Sequence, residues 1–154
     1  MSPLRMGVMG CANFAWQSMI PALIECDAVD LVAVASRTKD KAQKFSRRFN
    51  CDALVGYESL LSRKDIEAIY IPLPTGLHEE WVVKALEARK HLLVEKSFAE
   101  NFASAKKMTD LACLMKCLVM ENFLFPHHSQ HNWVTEKIRK SELGEIHLFR
   151  STFG

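Results

Sequence analysis

Four short segments carry the residues of this chain that could do chemistry, and the first is the turn GCANFA, which follows a short apolar run. A dinucleotide-binding turn needs small residues at three positions. They make the tight turn, let the backbone approach a pyrophosphate, and let helix and strand pack closely. The helix amino terminus that follows can hold phosphate, although small residues suit any tight strand-to-helix turn. The candidate cofactor-binding residues here are Gly10, Ala12, Asn13, Phe14 and Ala15.

The second segment is Ser36-Arg37, which follows the β-rich run Asp30–Ala35. An acidic residue at this point would bind the ribose hydroxyls of NAD. The chain has an arginine and a hydroxyl instead, which suit a 2′-phosphate, and arginine can also stack on adenine. The segment therefore favours NADP(H) as the cofactor, with NAD(H) possible. The alternative is that Ser36 caps the next helix and Arg37 is solvated.

The third and fourth segments are a stiff loop, Pro72–Gly76, and the pair Glu95-Lys96 at the end of the apolar run HLLVE. A charged pair at the end of a buried strand is costly unless it is paired or used. Lysine changes its pKa readily on burial, and near a nicotinamide it could orient a substrate hydroxyl or relay its proton. The alternative is a surface ion pair in a loop.

The elements that must position these segments follow from the alternation of apolar runs with helical patterns. The predicted strands are Leu4–Met9, Asp30–Ala35, Asp52–Val55, Ile66–Ile71, His91–Glu95 and Cys117–Glu121. The predicted helices are Phe14–Glu25, Lys39–Phe49, Tyr57–Ser62, Leu77–Ala88 and Phe102–Met115, with Pro21 kinking or breaking the first. Continuous apolar strands alternating with helices indicate a doubly wound parallel α/β sheet (Rossmann fold) over residues 1–121. Ligands of such a sheet bind at the carboxyl ends of its strands.

Residues 122–154 follow a different pattern. An aromatic and histidine-rich stretch leads to a predicted helix over 132–141 and then to a half-exposed strand over Glu145–Phe153. A lone strand leaves its edge groups unpaired, so we expect these residues to begin a second, α+β, substrate or oligomerisation domain that is truncated here. The same unpaired edge predicts self-association through strand pairing.

Composition excludes several other classes of protein. Hydrophobic residues make up 49% and charged residues 25%, as in a globular protein with a core. A net charge of +2 gives no footprint for nucleic acid, and no run approaches the roughly 20 apolar residues of a membrane span. The five cysteines include no CxxC pair, which fits reduced thiols in the cytoplasm. Cys113 and Cys117 lie one helical turn apart but lack further ligands, so no metal site is expected.

The chain resembles the glucose–fructose oxidoreductase, inositol dehydrogenase and rhizopine-catabolism (Gfo/Idh/MocA) family of NAD(P)-dependent oxidoreductases. The matching pieces are GVMGCANFA, VAVASRTKDKA, IYIPLPTGLHEEWVVKALEARKHLLVEKS and GEIHLFRSTFG, in order along the chain. The resemblance implies a phosphate turn at Gly10, Ala12 and Ala15, and adenosine contacts at Ser36 and Arg37. It also implies a nicotinamide side lined by Pro72, Thr75 and His78. Glu95 would hold the nicotinamide ribose region, and Lys96 would be the catalytic lysine.

Two departures from the family pattern stand out. Ser97 replaces the proline of Glu-Lys-Pro, which removes a fixed φ after the lysine. The histidine that the family's second domain supplies as acid or base is not matched. His127, His128 and His131 lie earlier in the chain, and we interpret them as structural or interfacial rather than as metal ligands.

The leading hypothesis is an oxidoreductase that transfers hydride between the nicotinamide and a hydroxyl or keto carbon. The substrate would be a sugar, a cyclitol or a nucleotide-linked keto-sugar. The chain alone would bind cofactor without turnover, and the full enzyme would be a cytoplasmic homo-oligomer (dimer or tetramer) without nucleic-acid or membrane partners. The alternative is a non-catalytic dinucleotide-binding or scaffold protein with an oxidoreductase fold, against which Glu95 and Lys96 argue.

Overall fold

Six parallel strands form a sheet in the computed structural model, which describes residues 2–152. The strands are β1 (Leu4–Met9), β2 (Val29–Ser36), β3 (Asp52–Val55), β4 (Ala68–Ile71), β5 (His91–Glu95) and β6 (Val119–Asn122). Their order across the sheet is β3-β2-β1-β4-β5-β6, and every neighbouring pair is parallel. From β1 the chain adds β2 and β3 on one side and then β4, β5 and β6 on the other, so the boundary between β1 and β4 is the topological switch point. The predicted doubly wound Rossmann fold is confirmed.

Helices cover both faces of this sheet. They are α1 (Ile20–Glu25), α2 (Lys39–Phe49), α3 (Tyr57–Leu61), α4 (His78–Glu87) and α5 (Phe102–Met115). Side chains alternate across a strand, so Tyr70 of β4 packs with α1 and α2 while Ile69 and Ile71 pack with α3, α4 and α5. Burial on both faces explains why the strands are continuous apolar runs.

A π-helical turn, Ala15–Met19, leads directly into α1. The amide of Ile20 donates to the carbonyl oxygen of Ala15, five residues back. The helix then continues through Pro21 to Glu25, so Pro21 does not break it, and the predicted kink stays a prediction. Proline has no N–H to donate, and it stands in the first turn of α1, where the irregular turn ahead of it takes up the distortion.

The segment that follows β6 forms a second compact unit, Phe123–Gly154. It contains a 3-10 turn, Phe125–His127, and α6 (Ser129–Arg139), in which the amide of Gln130 donates to Nδ1 of the His128 ring. Residues 145–152 form no strand, so the prediction of a strand over Glu145–Phe153 is wrong for them, and Phe153 lies outside the described residues. An extended segment needs a neighbouring strand for its ladder of hydrogen bonds. The self-association expected through this strand therefore lacks a strand edge.

Features that would indicate a membrane span or a metal cluster are absent from the described residues. Among residues 2–152 no helix combines the length and apolar character needed to cross a membrane. Over the same residues no group of three or more histidine, cysteine, aspartate or glutamate side chains is arranged to hold a metal ion. His128 caps α6, and His131 packs edge-on against Phe125 with ring centroids 5.0 Å apart.

Candidate functional site

The candidate site lies along the carboxyl edge of the sheet, because each predicted segment directly follows a strand. Gly10 follows β1, Arg37 follows β2, Pro72 follows β4 and Lys96 follows β5. In a parallel sheet all these strand ends meet at one edge. The turn after β1 and the loop after β4 flank the switch point, where open α/β sheets bind ligands.

Gly10 occupies a position that leaves no room for a side chain. Its φ is +119°, and a Cβ built on it would lie 2.8 Å from Cδ2 of Leu73. Its amide donates to the carbonyl oxygen of Ala35 in β2 at 2.9 Å. The backbone at the end of β1 is therefore fixed and bare, which suits the close approach of a pyrophosphate.

The rest of the glycine turn divides into buried and exposed residues. Ala15 is fully buried against the sheet, and Ala12 is half-buried. Asn13 and Phe14 are exposed, with 40% of Phe14 accessible. The small residues therefore let the helix pack closely, while Asn13 and Phe14 remain available to a ligand at the helix amino terminus.

Ser36 and Arg37 differ sharply in exposure. Ser36 is 4% exposed; its Oγ accepts from the amide of Thr38 at 3.3 Å, and its carbonyl oxygen accepts from the amide of Gly56 at 2.9 Å. Thr38, rather than Ser36, is the residue at the start of α2. Arg37 is exposed at this corner of the edge, where an anionic group could reach its guanidinium.

Tyr57, at the start of α3, lies close enough to Arg37 for the guanidinium charge to act on its hydroxyl. Burial raises the pKa of the Tyr57 hydroxyl, and the nearby Arg37 guanidinium opposes that shift. Tyr57 also packs edge-on against Trp81, with ring centroids 4.9 Å apart. Arg37 therefore extends a positive charge beside a fixed aromatic wall.

The loop after β4 is held by His78. Pro72 is buried, Thr75 is half-buried, and the loop ends in a 3-10 turn, Thr75–Leu77, that leads into α4. The ring of His78 is fully buried, with Nε2 2.7 Å from the carbonyl oxygen of Leu73 and Nδ1 3.0 Å from that of Ser97. His78 therefore links the loop after β4 to the segment after β5, and a direct contact with nicotinamide stays a prediction.

Glu95 is held by side chains from two neighbouring strands. Tyr70 of β4 donates its hydroxyl to Oε1 of Glu95 at 2.6 Å, and Asn122 of β6 donates its side-chain amide to the same oxygen. Burial, and then this hydrogen bond to Glu95, raise the pKa of Tyr70 well above its ordinary range. Nδ2 of Asn122 also lies 3.4 Å from Sδ of Met19 in the π-helical turn. The Glu95 carboxylate is therefore fixed by donors rather than by a cation.

Lys96 differs from Glu95 in its exposure and in its partners. Its side chain is exposed, and within residues 2–152 it makes no ion pair. The surface ion pair considered for Glu95 and Lys96 is thus not the arrangement observed. The peptide bond between Lys96 and Ser97 is cis. An exposed ammonium group beside the switch point can meet a ligand placed along this edge.

Sequence reasoning missed Tyr70 and Asn122, which bind Glu95, and Met19, which contacts Asn122. Asn122 immediately follows the predicted strand over Cys117–Glu121, so the rule that located Lys96 could also have located it. Tyr70 lies inside a strand and gave no signal of its own. Its contact with Glu95 depends on β4 and β5 being neighbours in the sheet.

The profile of one protein family matches residues 4–123 of this chain. That family is described as an oxidoreductase family with an NAD-binding Rossmann fold (GFO_IDH_MocA). The match spans most of the chain and covers every segment of the candidate site.

Individual relatives and solved structures are similar to nearly all of this chain. A dTDP-3,4-didehydro-2,6-dideoxy-alpha-D-glucose 3-reductase of Saccharopolyspora spinosa is 45% identical over 99% of this chain and 46% of its own length. The crystal structure of KijD10, a 3-ketoreductase from Actinomadura kijaniata in complex with NADP and TDP-benzene, superposes with a TM-score of 0.89. It is 42% identical over 94% of this chain and 44% of that one. The chain thus spans somewhat less than half the length of these two proteins.

A more distant structure shares the fold alone. The myo-inositol 2-dehydrogenase of Lactobacillus plantarum superposes with a TM-score of 0.84 at 18% identity, over 94% of this chain and 43% of that one. Similarity of the backbone at this low identity carries no argument about substrate.

Proposed function

Because this chain belongs to the Gfo/Idh/MocA family of oxidoreductases with an NAD-binding Rossmann fold, we propose that it is the cofactor-binding part of an NADP(H)-dependent ketoreductase. The observation that carries the proposal is the exposed Lys96 at the end of β5, beside a carboxylate that Tyr70 and Asn122 hold in place. A protein kept only for assembly has no use for a lysine and a fixed carboxylate at the carboxyl edge of its sheet, one strand from the switch point.

The proposed cofactor would lie across the switch point. The bare backbone at Gly10 and the start of the following helix would hold the pyrophosphate, since amides there point toward the ligand. Arg37 would bind the 2′-phosphate, which favours NADP(H) over NAD(H). Pro72 and Thr75 would line the nicotinamide side, and the free oxygen of Glu95 would accept from a ribose hydroxyl.

The role we assign to Lys96 is to hold and move a proton. When bound, the reduced nicotinamide supplies a hydride to the carbonyl carbon of the substrate. Nζ of Lys96 would donate a hydrogen bond to the carbonyl oxygen and transfer the proton that this oxygen needs as it becomes a hydroxyl. Its exposure on the open edge allows a substrate to reach it without displacing an ion-pair partner.

The substrate class follows from the relatives rather than from this chain's own contacts. Their printed names describe a reductase acting at the 3-position of a dTDP-linked keto-sugar and a 3-ketoreductase bound to NADP and TDP-benzene. A nucleotide-linked keto-sugar is therefore the substrate class we propose. The intact protein would act in the cytoplasm as a homo-oligomer, with a second domain that begins after Asn122.

Cofactor binding by this chain tests the proposal. Titrations with NADPH and with NADH, followed by the fluorescence of the nicotinamide, should give tighter binding of NADPH. Arg37→Ala removes a charged hydrogen-bond donor, so we expect NADPH binding to weaken about tenfold or more and NADH binding to change little.

The matched control is Arg47→Ala, which removes an arginine that lines a polar cavity with Arg5 and Asp30. It should leave both affinities unchanged. Equal affinity for the two cofactors would overturn the 2′-phosphate assignment while leaving a dinucleotide site. If neither NADPH nor NADH binds, the result would favour the scaffold alternative.

A further inference from the structure

The short segment after β5, Lys96–Phe98, carries the proposed proton donor and lacks the residue that would stiffen it. A proline at position 97 would lock φ near −65°, but Ser97 leaves that angle free to rotate. Lys96 and Ser97 are also exposed, so packing contributes little to holding them. Other contacts must fix the backbone if Nζ of Lys96 is to stay at one place on the edge.

One set of contacts comes from α4. Nδ1 of His78 lies 3.0 Å from the carbonyl oxygen of Ser97 and 3.2 Å from that of Phe98, while Nε2 reaches Leu73 on the other side. The ring is fully buried, where a lost hydrogen bond leaves polar groups without water as a substitute. A carbonyl oxygen only accepts, so the ring donates to Ser97 and Phe98 in the tautomer that carries its proton on Nδ1.

The other contact comes from β6. Oε1 of Glu121 accepts from the backbone amide of Phe98 at 2.8 Å. Glu121 pairs in register with Val94, one residue before Glu95, so its carboxylate is carried by the strand beside β5. A carboxylate that accepts from an amide makes a stronger hydrogen bond than a neutral acceptor does.

These two side chains hold the same residue at both ends. Phe98 has its amide bound by Glu121 and its carbonyl oxygen bound by the His78 ring, while its own side chain packs against the core. The backbone one residue beyond Ser97 is therefore anchored to α4 and to β6 at once. We propose that His78 and Glu121 are positioning residues that fix the Lys96–Phe98 segment and so place Nζ of Lys96 on the substrate.

Only the kinetic part of this inference rests on the proposed function. Of the two residues, Glu121 is the one whose substitution tests the inference most cleanly. His78 is fully buried, so its loss also disturbs the loop after β4, whereas Glu121 is exposed and its replacement leaves the core intact. In the intact protein, Glu121→Ala removes the acceptor for the Phe98 amide. Glu121→Gln keeps a carbonyl oxygen at nearly the same place, and Glu87→Ala removes an exposed carboxylate from the far end of α4 as the matched control.

Two measurements follow the segment and the reaction separately. Amide hydrogen exchange over residues 96–99 should become about tenfold faster in Glu121→Ala, because a net loss of about 1.4 kcal/mol is a factor of ten. In the keto-sugar reductase assay kcat should fall by a similar factor while the Kd for NADPH stays the same. Glu121→Gln should recover most of both losses, and Glu87→Ala should behave as the parent.

Each result separates this inference from the proposed function. Unchanged exchange at residues 96–99 in Glu121→Ala overturns the inference, whatever the protein catalyses. An equal loss of kcat in the Gln and Ala variants, or a change in the Kd for NADPH instead of kcat, also overturns it. If the parent protein binds no cofactor, the proposed function fails, and the exchange data still decide whether Glu121 and His78 hold this segment.

Discussion

Gly10 meets two separate restrictions, its positive φ and the side chain of Leu73 that faces it. A residue with a side chain is strained at φ +119° even in open space, and a Cβ here would also stand 2.8 Å from Leu73. The first restriction concerns the backbone alone. The second concerns the packing between the glycine turn and the loop after β4, which together flank the switch point.

Gly10→Ala should therefore cost about 2 to 4 kcal/mol of unfolding free energy, from backbone strain and overpacking combined. Urea unfolding measures the loss, and an NADPH titration of the folded variant should show weaker binding. Gly56→Ala is the control for strain alone, because Gly56 has φ +81° and its built Cβ meets only a flexible glutamate side chain at 3.7 Å. Equal losses in the two variants would contradict the role given to Leu73.

At the residue scale, the sequence was informative where chemistry coincides with a strand end. Gly10, Arg37 and Lys96 all follow apolar runs and lie on the predicted edge. Tyr70 and Glu121 escaped notice because their partners lie on other strands or loops. Their roles depend on strand order, which no single segment of sequence encodes.

Among the helices, α5 shows how one side chain sets a boundary. Asn101 stands at the amino-terminal cap in an extended conformation, and its Oδ1 accepts from the amide of Ser104 at 2.9 Å. That bond satisfies one of the free amides at the start of the helix. The predicted bounds of this helix, Phe102–Met115, agree with the observed ones.

Asn101→Ala should lower the free energy of unfolding by about 1 kcal/mol, since alanine cannot cap the helix. Asn101→Asp keeps an acceptor of the same length and should retain most of the stability. Thermal unfolding of the two variants beside the parent makes the comparison. An aspartate variant as unstable as the alanine variant would show that the cap is not what Asn101 contributes.

The sequence did not predict correctly those elements whose form depends on contacts with distant parts of the chain. The run over residues 145–152 has the alternation of a strand but no neighbour to bond with, and it forms none. Pro21 pointed to an irregularity in the first helix. Its form, a π-helical turn ahead of the proline, depends on how the helix packs against the sheet.

Across the whole molecule, burial of weak acids links the stability of the fold to alkaline pH. Burial, followed by the charge of Asp52, raises the pKa of Cys51 from 9.0 to about 11. Burial also raises the pKa values of Tyr57 and Tyr70. In each case the folded state holds a proton that the unfolded chain releases at lower pH.

The free energy of unfolding should therefore have its full value below pH 9 and fall as pH rises from 9 toward 11. In that window the folded protein binds more protons than the unfolded chain does. Urea midpoints at pH 8, 9, 10 and 11 measure the slope. Cys51→Ala should make that slope shallower, and Cys113→Ala, which removes an exposed thiol, serves as its control. A midpoint that does not change over this range would contradict the argument.

The π-helical turn also limits how the first helix can vary in length. Ala15, Ile20 and Leu23 are its buried residues, and the first two are five positions apart, which an α-helix would place on different faces. Deleting one residue from Ala15–Met19 would bring Ala15 and Ile20 to four positions apart, which a regular α-helix places on one face. Deleting one residue between Ile20 and Leu23 would instead rotate the residues that follow by about 100° and turn Leu23 away from the core. The first helix should therefore tolerate the loss of a residue within the π-helical turn far better than a loss after it.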